Sequence, residues 1–199
     1  MARKKSITDT QILDMAYQIA IESGFKYFTA RNIARQLNCS TQPIYLEFKS
    51  MGELKKAVLM RLRKDLKNKL SGRYTSDPVV DLGLAFADFV VKEPRLYEAV
   101  FVSQHFGVDA VQAFLRDQGF KLLAEYGPAA ELNETQRLDL LKGLWIVASG
   151  MGILAAGGLL QLTSVQRSEM MLAVIQDFIA NGRFTNAPSL IALDQTAVM

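Results

Sequence analysis

Cysteine occurs once among the 199 residues, at Cys39, and histidine once, at His105. A lone cysteine excludes an internal disulfide and any multi-cysteine metal site, and one histidine completes no ligand set, so we expect no metal and no cofactor. A phosphate-cradling glycine loop, a nucleophile elbow and a secretory leader are also missing. These absences point to a protein that is not an enzyme, resident in the reducing cytoplasm. Proline is scarce, with five residues, and half of the chain is apolar. That balance favours a packed globular protein over a disordered one. Long alternating strand patterns are lacking as well, and the remaining periodicity is helical throughout: the fold is read as all-α, with about nine helices.

What is present is an uneven distribution of charge. Residues 1–73 hold 15 Lys/Arg against 6 Asp/Glu, whereas residues 74–199 hold 8 against 14. A basic front third suits a phosphate-rich partner, because neutralising phosphates releases condensed counterions. The reversal falls at "SGRYTSDP", residues 71–78, which also interrupts the helical period.

Along the chain, a first helix is expected from about Thr8 to Ser23, with Ile12, Ala16, Ile19 and Ala20 on one face and Gly24 as its stop. Ser50 and Glu53 have the spacing of a capping box before Leu54, Ala57, Val58 and Leu62, which opens a helix reaching about Leu70. Further helices are expected at about Val79 to Lys92, from Pro94, at about Val108 to Tyr126, at about Thr135 to Leu160, and at about Val165 to Asn181 before Gly182.

Between the first and fourth helices lies "TARNIARQLNCSTQPIYLEFKS", residues 29–50. Thr29 caps a helix to about Gln36 that turns Ile33 and Leu37 inward and Arg31 and Arg35 outward. Asn38 sits at the sharp turn, where a positive φ is required. Ser40 or Thr41 starts the next helix, in which Pro43 is tolerated in the first turn, although Gln42 before it is strained or the helix begins late. Ile44 and Phe48 face the core, leaving Thr41, Gln42, Tyr45 and Lys49 outside. This is the pattern of a helix-turn-helix, whose second helix enters the major groove. Thr41 and Gln42 are expected on base edges. Thr29, Arg31, Arg35, Ser40, Tyr45, Lys49 and Lys55 are expected on phosphates. The "ARKKS" run before the first helix is either a minor-groove arm or a disordered basic tail.

The stretch "GFKYFTARNIARQLNCSTQPIYLEFKSMGEL" resembles the N-terminal domain of the TetR family of bacterial transcriptional regulators, with Gly24, Phe25, Thr29, Ile33, Ala34, Ser40, Ile44, Tyr45, Phe48 and Leu54 at the family's spacing. Asn38-Cys39 departs from the usual Gly and aliphatic pair, and Met51 stands where the family commonly has a phosphate-contacting Lys. The resemblance implies a ligand-responsive regulator acting as a repressor, released from a palindromic double-stranded DNA operator by a small apolar or amphipathic effector. It also implies an effector pocket in the second half, for which the candidates are Phe89, Tyr97, Phe101, His105, Trp145 and Met151. The expected organisation is a helix-turn-helix domain over 1–50, a connecting helix over 51–70, a ligand-binding and dimerisation domain over 71–182 and a loosely attached tail over 183–199.

"GLWIVASGMGILAAGGLL", residues 143–160, approaches the length of a membrane span. Its five glycines and the lack of an aromatic or basic belt favour a buried helix and no membrane partner. Ala148, Gly152 and Ala156 recur every four residues, a strip that admits a close helix. A homodimer is expected through the last two helices, with Ala148, Gly152, Ala156, Met171, Ile175 and Phe178 at the interface. The competing reading is a small-molecule-binding or protein-interaction protein whose helix-turn-helix is structural.

Overall fold

In the computed structural model, residues 7–181 are described. The "ARKKS" run and the tail over 183–199 lie outside them. Within the described residues there are nine α-helices and no strand: α1 (Asp9–Ser23), α2 (Ala30–Gln36), α3 (Gln42–Phe48), α4 (Met51–Lys69), α5 (Pro78–Lys92), α6 (Pro94–Tyr97), α7 (Val108–Ala124), α8 (Glu134–Ala156) and α9 (Ser164–Asn181). These ends fall within a few residues of those read from the periodicity.

Side chains set the starts. Thr8 Oγ1 accepts from Gln11 N at 3.2 Å while Gln11 Oε1 accepts from Thr8 N at 3.1 Å, a reciprocal box that opens α1. Asn133 and Gln136 repeat it at α8, at 3.0 and 2.9 Å. At α4 the expected box is half formed. Ser50 Oγ accepts from Glu53 N at 3.1 Å, but the Glu53 carboxylate takes the Lys56 ammonium at 2.9 Å.

The chain forms two compact units. One comprises residues 7–67 with Pro94–Val111, the other Asn68–Glu93 with residues 112–181. The expected single domain over 71–182 therefore lacks the segment Pro94–Val111, which packs with the helix-turn-helix. The reason is local. α6 runs directly into a π-helical turn at Glu98–Val102, and both pack on α1. His105 Nδ1–H donates to the Ile21 carbonyl at 2.8 Å, and Phe106 is buried against the rings of Tyr17 and Phe25. Gly24, at φ +64°, lets the chain turn beneath the His105 ring, which a Cβ there would meet at 3.2 Å.

In the second unit, α5 packs on α8 and α9. Gly152 brings α8 close to α5: a Cβ there would lie 2.6 Å from Val90 Cβ and 2.7 Å from the Ala87 carbonyl oxygen. Gly143 likewise receives the Phe178 ring. The loop before α5 is ordered by carboxylates. Asp77 Oδ1 caps α5 by accepting from Val79 N and Val80 N, and its Oδ2 accepts from the Tyr126 hydroxyl at 2.7 Å. Asp81, 3% exposed, accepts from Tyr74 N, Thr75 N and Thr75 Oγ1. Burial and the hydrogen bond to Asp77 push the Tyr126 phenol well above its ordinary range, and burial and the bond to Asp88 push Tyr74 up to about 12.

Candidate nucleic-acid interface

The first unit builds the helix-turn-helix as its spacing requires. Ile12, Ala16, Ile33, Ala34, Ile44, Leu54 and Val58 are buried, and α1 packs on both α2 and α3. Their common core fixes the angle between two helices that are each only seven residues long and too short to persist alone. Asn38 takes φ +51°, the left-handed conformation expected at the turn. α3 takes in Gln42 with Pro43 in its first turn, so the late start considered for it does not occur.

Thr29 Oγ1 caps α2 by accepting from Asn32 N at 3.2 Å. Asn32 Nδ2 donates to the Tyr27 carbonyl at 3.1 Å, and Asn32 Oδ1 accepts from Arg35 Nη2 at 2.7 Å. Asn32 thus ties the guanidinium of Arg35 to the start of α2. Nothing in the periodicity singled it out, because an apolar period carries no sign of side-chain hydrogen bonds, even to partners within five positions. Arg31 is exposed on the same short helix.

On α3, Gln42, Tyr45 and Lys49 are all exposed, as is Thr41 before it, whose hydroxyl makes no capping bond. Ser40 is exposed too. Lys49 ends the helix at φ +54°. The Lys55 ammonium lies 4.3 Å from the centre of the Phe25 ring, which holds this expected phosphate contact against the unit's own surface. A further exposed residue shares the outer face of α3: Leu46, 72% exposed, beside Tyr45 at 48%.

The expected pocket residues are drawn from both units. Tyr97, Phe101 and His105 belong to the first unit, Phe89, Trp145 and Met151 to the second. Tyr97 and Phe101 stack at 5.5 Å, and Phe86 makes edge contacts with both Phe89 and Trp145 at 6.1 and 5.9 Å. His105, expected as a polar handle for a ligand, spends its Nδ1 proton on the Ile21 carbonyl.

Most of the expected interface residues lie inside the chain. Ala148, Gly152, Met171 and Ile175 are buried within the chain, and Phe178 packs on Gly143. At Gly152 the close helix is the chain's own α5; of the six only Ala156 is exposed. The outward apolar residues of α8 and α9 are instead Ile146, Ile153, Leu154, Val165, Met170 and Leu172. α8 is long and apolar enough to cross a membrane by length and composition, with 39% of its most apolar window buried. Its packing on α5 and α9 accounts for that part of its apolar character.

No protein-family model matches the chain. A Bacillus subtilis (strain 168) protein named as the uncharacterized HTH-type transcriptional regulator YobS is 24% identical over 164 residues, covering 78% of this chain and 83% of that one. Among solved structures, a TetR-like transcriptional regulator from Rhodococcus sp. RHA1 superposes with a TM-score of 0.58 at 20% identity, over 90% of this chain and 99% of the other. A member of the TetR family from Streptomyces coelicolor A3 gives 0.55 at 14% identity, over 83% and 96%. With the helix-turn-helix geometry of its first unit, the chain has the TetR-like fold.

Proposed function

We propose that the protein is a transcriptional regulator of the TetR family that binds double-stranded DNA as a homodimer and acts as a repressor. The observation that carries this reading is the outer face of α3, where Gln42, Tyr45 and Lys49 stand exposed on a helix held by a dedicated core. A Gln can pair with an adenine edge in the major groove, and a Tyr or Lys can hold phosphate. The names of the similar proteins agree with it.

Two copies paired through α8 and α9, by their exposed faces at Ile146, Ile153, Leu154 and Met170, present two α3 helices to successive major grooves about 34 Å apart, on a near-palindromic operator. An apolar or amphipathic effector, taken up beside Phe89, Trp145 and Met151, releases DNA if it binds more tightly to a conformation whose α3 spacing misfits the operator. Coupling of this kind is typically about 1–3 kcal/mol. A cytoplasmic location follows from the same role.

The test is selection of bound duplexes from a random library at moderate salt. Enrichment of a two-fold symmetric site, lost on Gln42→Ala together with Tyr45→Ala, supports the reading. Weak, strongly salt-sensitive binding without enrichment overturns it, leaving the basic face a general phosphate surface.

A further inference from the structure

Leu46 sits in the middle of the outer face of α3, with Gln42 one turn before it, Tyr45 beside it and Lys49 after it. At 72% exposed it is more open to water than the aromatic ring next to it. The helix has an inward row for apolar side chains, at Ile44 and Phe48, and Leu46 is not on it. A single exposed leucine is ordinary on a surface. This one stands on the face that meets the major groove if the proposed function holds, and the inference rests on that reading. The groove offers hydrogen-bonding edges almost everywhere and one apolar group, the C5 methyl of thymine. A side chain without a donor or acceptor can discriminate there only by covering that methyl or by clashing with what replaces it.

We propose that Leu46 reads a thymine in each half-site through its C5 methyl, adding apolar readout to the polar readout of Thr41 and Gln42. The surrounding charge favours DNA as the occupant of this face: residues 1–73 carry 15 Lys/Arg against 6 Asp/Glu.

The experiment uses the full-length protein and the duplex recovered by selection. Each thymine in the site is replaced in turn, symmetrically in both half-sites, by deoxyuridine, which removes the methyl and keeps the base pair. Affinity is measured by fluorescence anisotropy. Burying one methyl-sized group alters affinity about fourfold, so one symmetric pair of replacements should weaken wild-type binding about 15-fold. Leu46→Ala should bind the thymine duplex more weakly and show no further loss on that replacement. If a site is selected and no deoxyuridine position weakens the wild type, or if Leu46→Ala keeps the same sensitivity, the assignment of Leu46 is overturned while DNA binding stands. If no site is selected, the proposed function fails and this inference with it. Leu46→Met, which keeps an apolar side chain at the position, should keep the sensitivity and guards against a folding defect in Leu46→Ala; a folded variant is recognised by unchanged helix content, and insensitivity of Leu46→Ala with wild-type helix content supports the contact.

Discussion

Gly150 and Gly152 lie two residues apart in α8, and the same substitution should move stability in opposite directions at the two positions. A Cβ at Gly150 meets nothing within 4 Å. Gly150→Ala therefore gains the helix propensity and lost unfolded-state freedom of alanine, about 0.5–1 kcal/mol. At Gly152 the added carbon lies 2.6 Å from Val90 Cβ and 2.7 Å from the Ala87 carbonyl oxygen, so part of the obstruction is α5 backbone. Overpacking of this kind costs about 1–3 kcal/mol, offset by the same propensity gain of up to about 1 kcal/mol. The propensity gain is common to both, so the two variants should differ by the overpacking cost of about 1–3 kcal/mol, a separation in melting temperature of roughly 2–12 °C for a chain of this size. Thermal unfolding followed by circular dichroism at matched protein concentration reads it, since self-association makes melting temperature concentration-dependent. Equal shifts, or a Gly152→Ala protein more stable than wild type, would refute the close approach of α5 to α8 and return the small-residue strip to a partner subunit.

Arg31→Ala should weaken DNA binding about equally for all sequences and reduce the slope of log affinity against log salt by about 1, measured by a salt titration of anisotropy. Asp88 is raised by burial, but bonds from Lys92, Arg167 and Tyr74 outweigh this and hold it below the usual carboxylate range. A depressed folded value contributes stability above the unfolded value of about 3.9 that is lost as pH falls through the folded one. Urea midpoints from neutral pH downward should thus fall below about pH 4, less steeply in Asp88→Asn. Ile153→Glu places a charge on the outward face of α8 and should yield a monomer by sedimentation with helix content unchanged; a persistent dimer would move the interface elsewhere.

Local signals were legible because they act over a few residues. Thr8, Thr29 and Asn38 do what their chemistry implies, since a cap or a positive φ needs only the adjoining backbone. The inward positions Ile33, Ile44 and Leu54 were visible for the same reason, while Leu37 and Phe48, read inward with them, are half-buried. Residues whose role depends on a partner far along the chain were not. His105 bonds Ile21 across 84 positions, and a lone histidine in a sequence carries no sign of that carbonyl. The strip Ala148, Gly152 and Ala156 correctly announced a close helix, but periodicity cannot say whose helix it is. Leu46 was not singled out because only the polar residues of the outer face carry groups that bond a base edge or a phosphate, although its place one turn after Gln42 puts it on that face.

The path of the chain between its two units restricts how the protein could be rebuilt. It leaves the first unit after Lys67, returns at Pro94 and leaves again after Val111. A chimera spliced at the charge reversal, joining this helix-turn-helix to the second half of another chain of the same fold, would strand His105 and Phe106 on the discarded side. Ile21 would lose its donor, and the rings of Tyr17 and Phe25 their cover. A transplant that preserves the first unit must carry Pro94–Val111 as an insert, so that unit is inherited through two separate stretches of sequence.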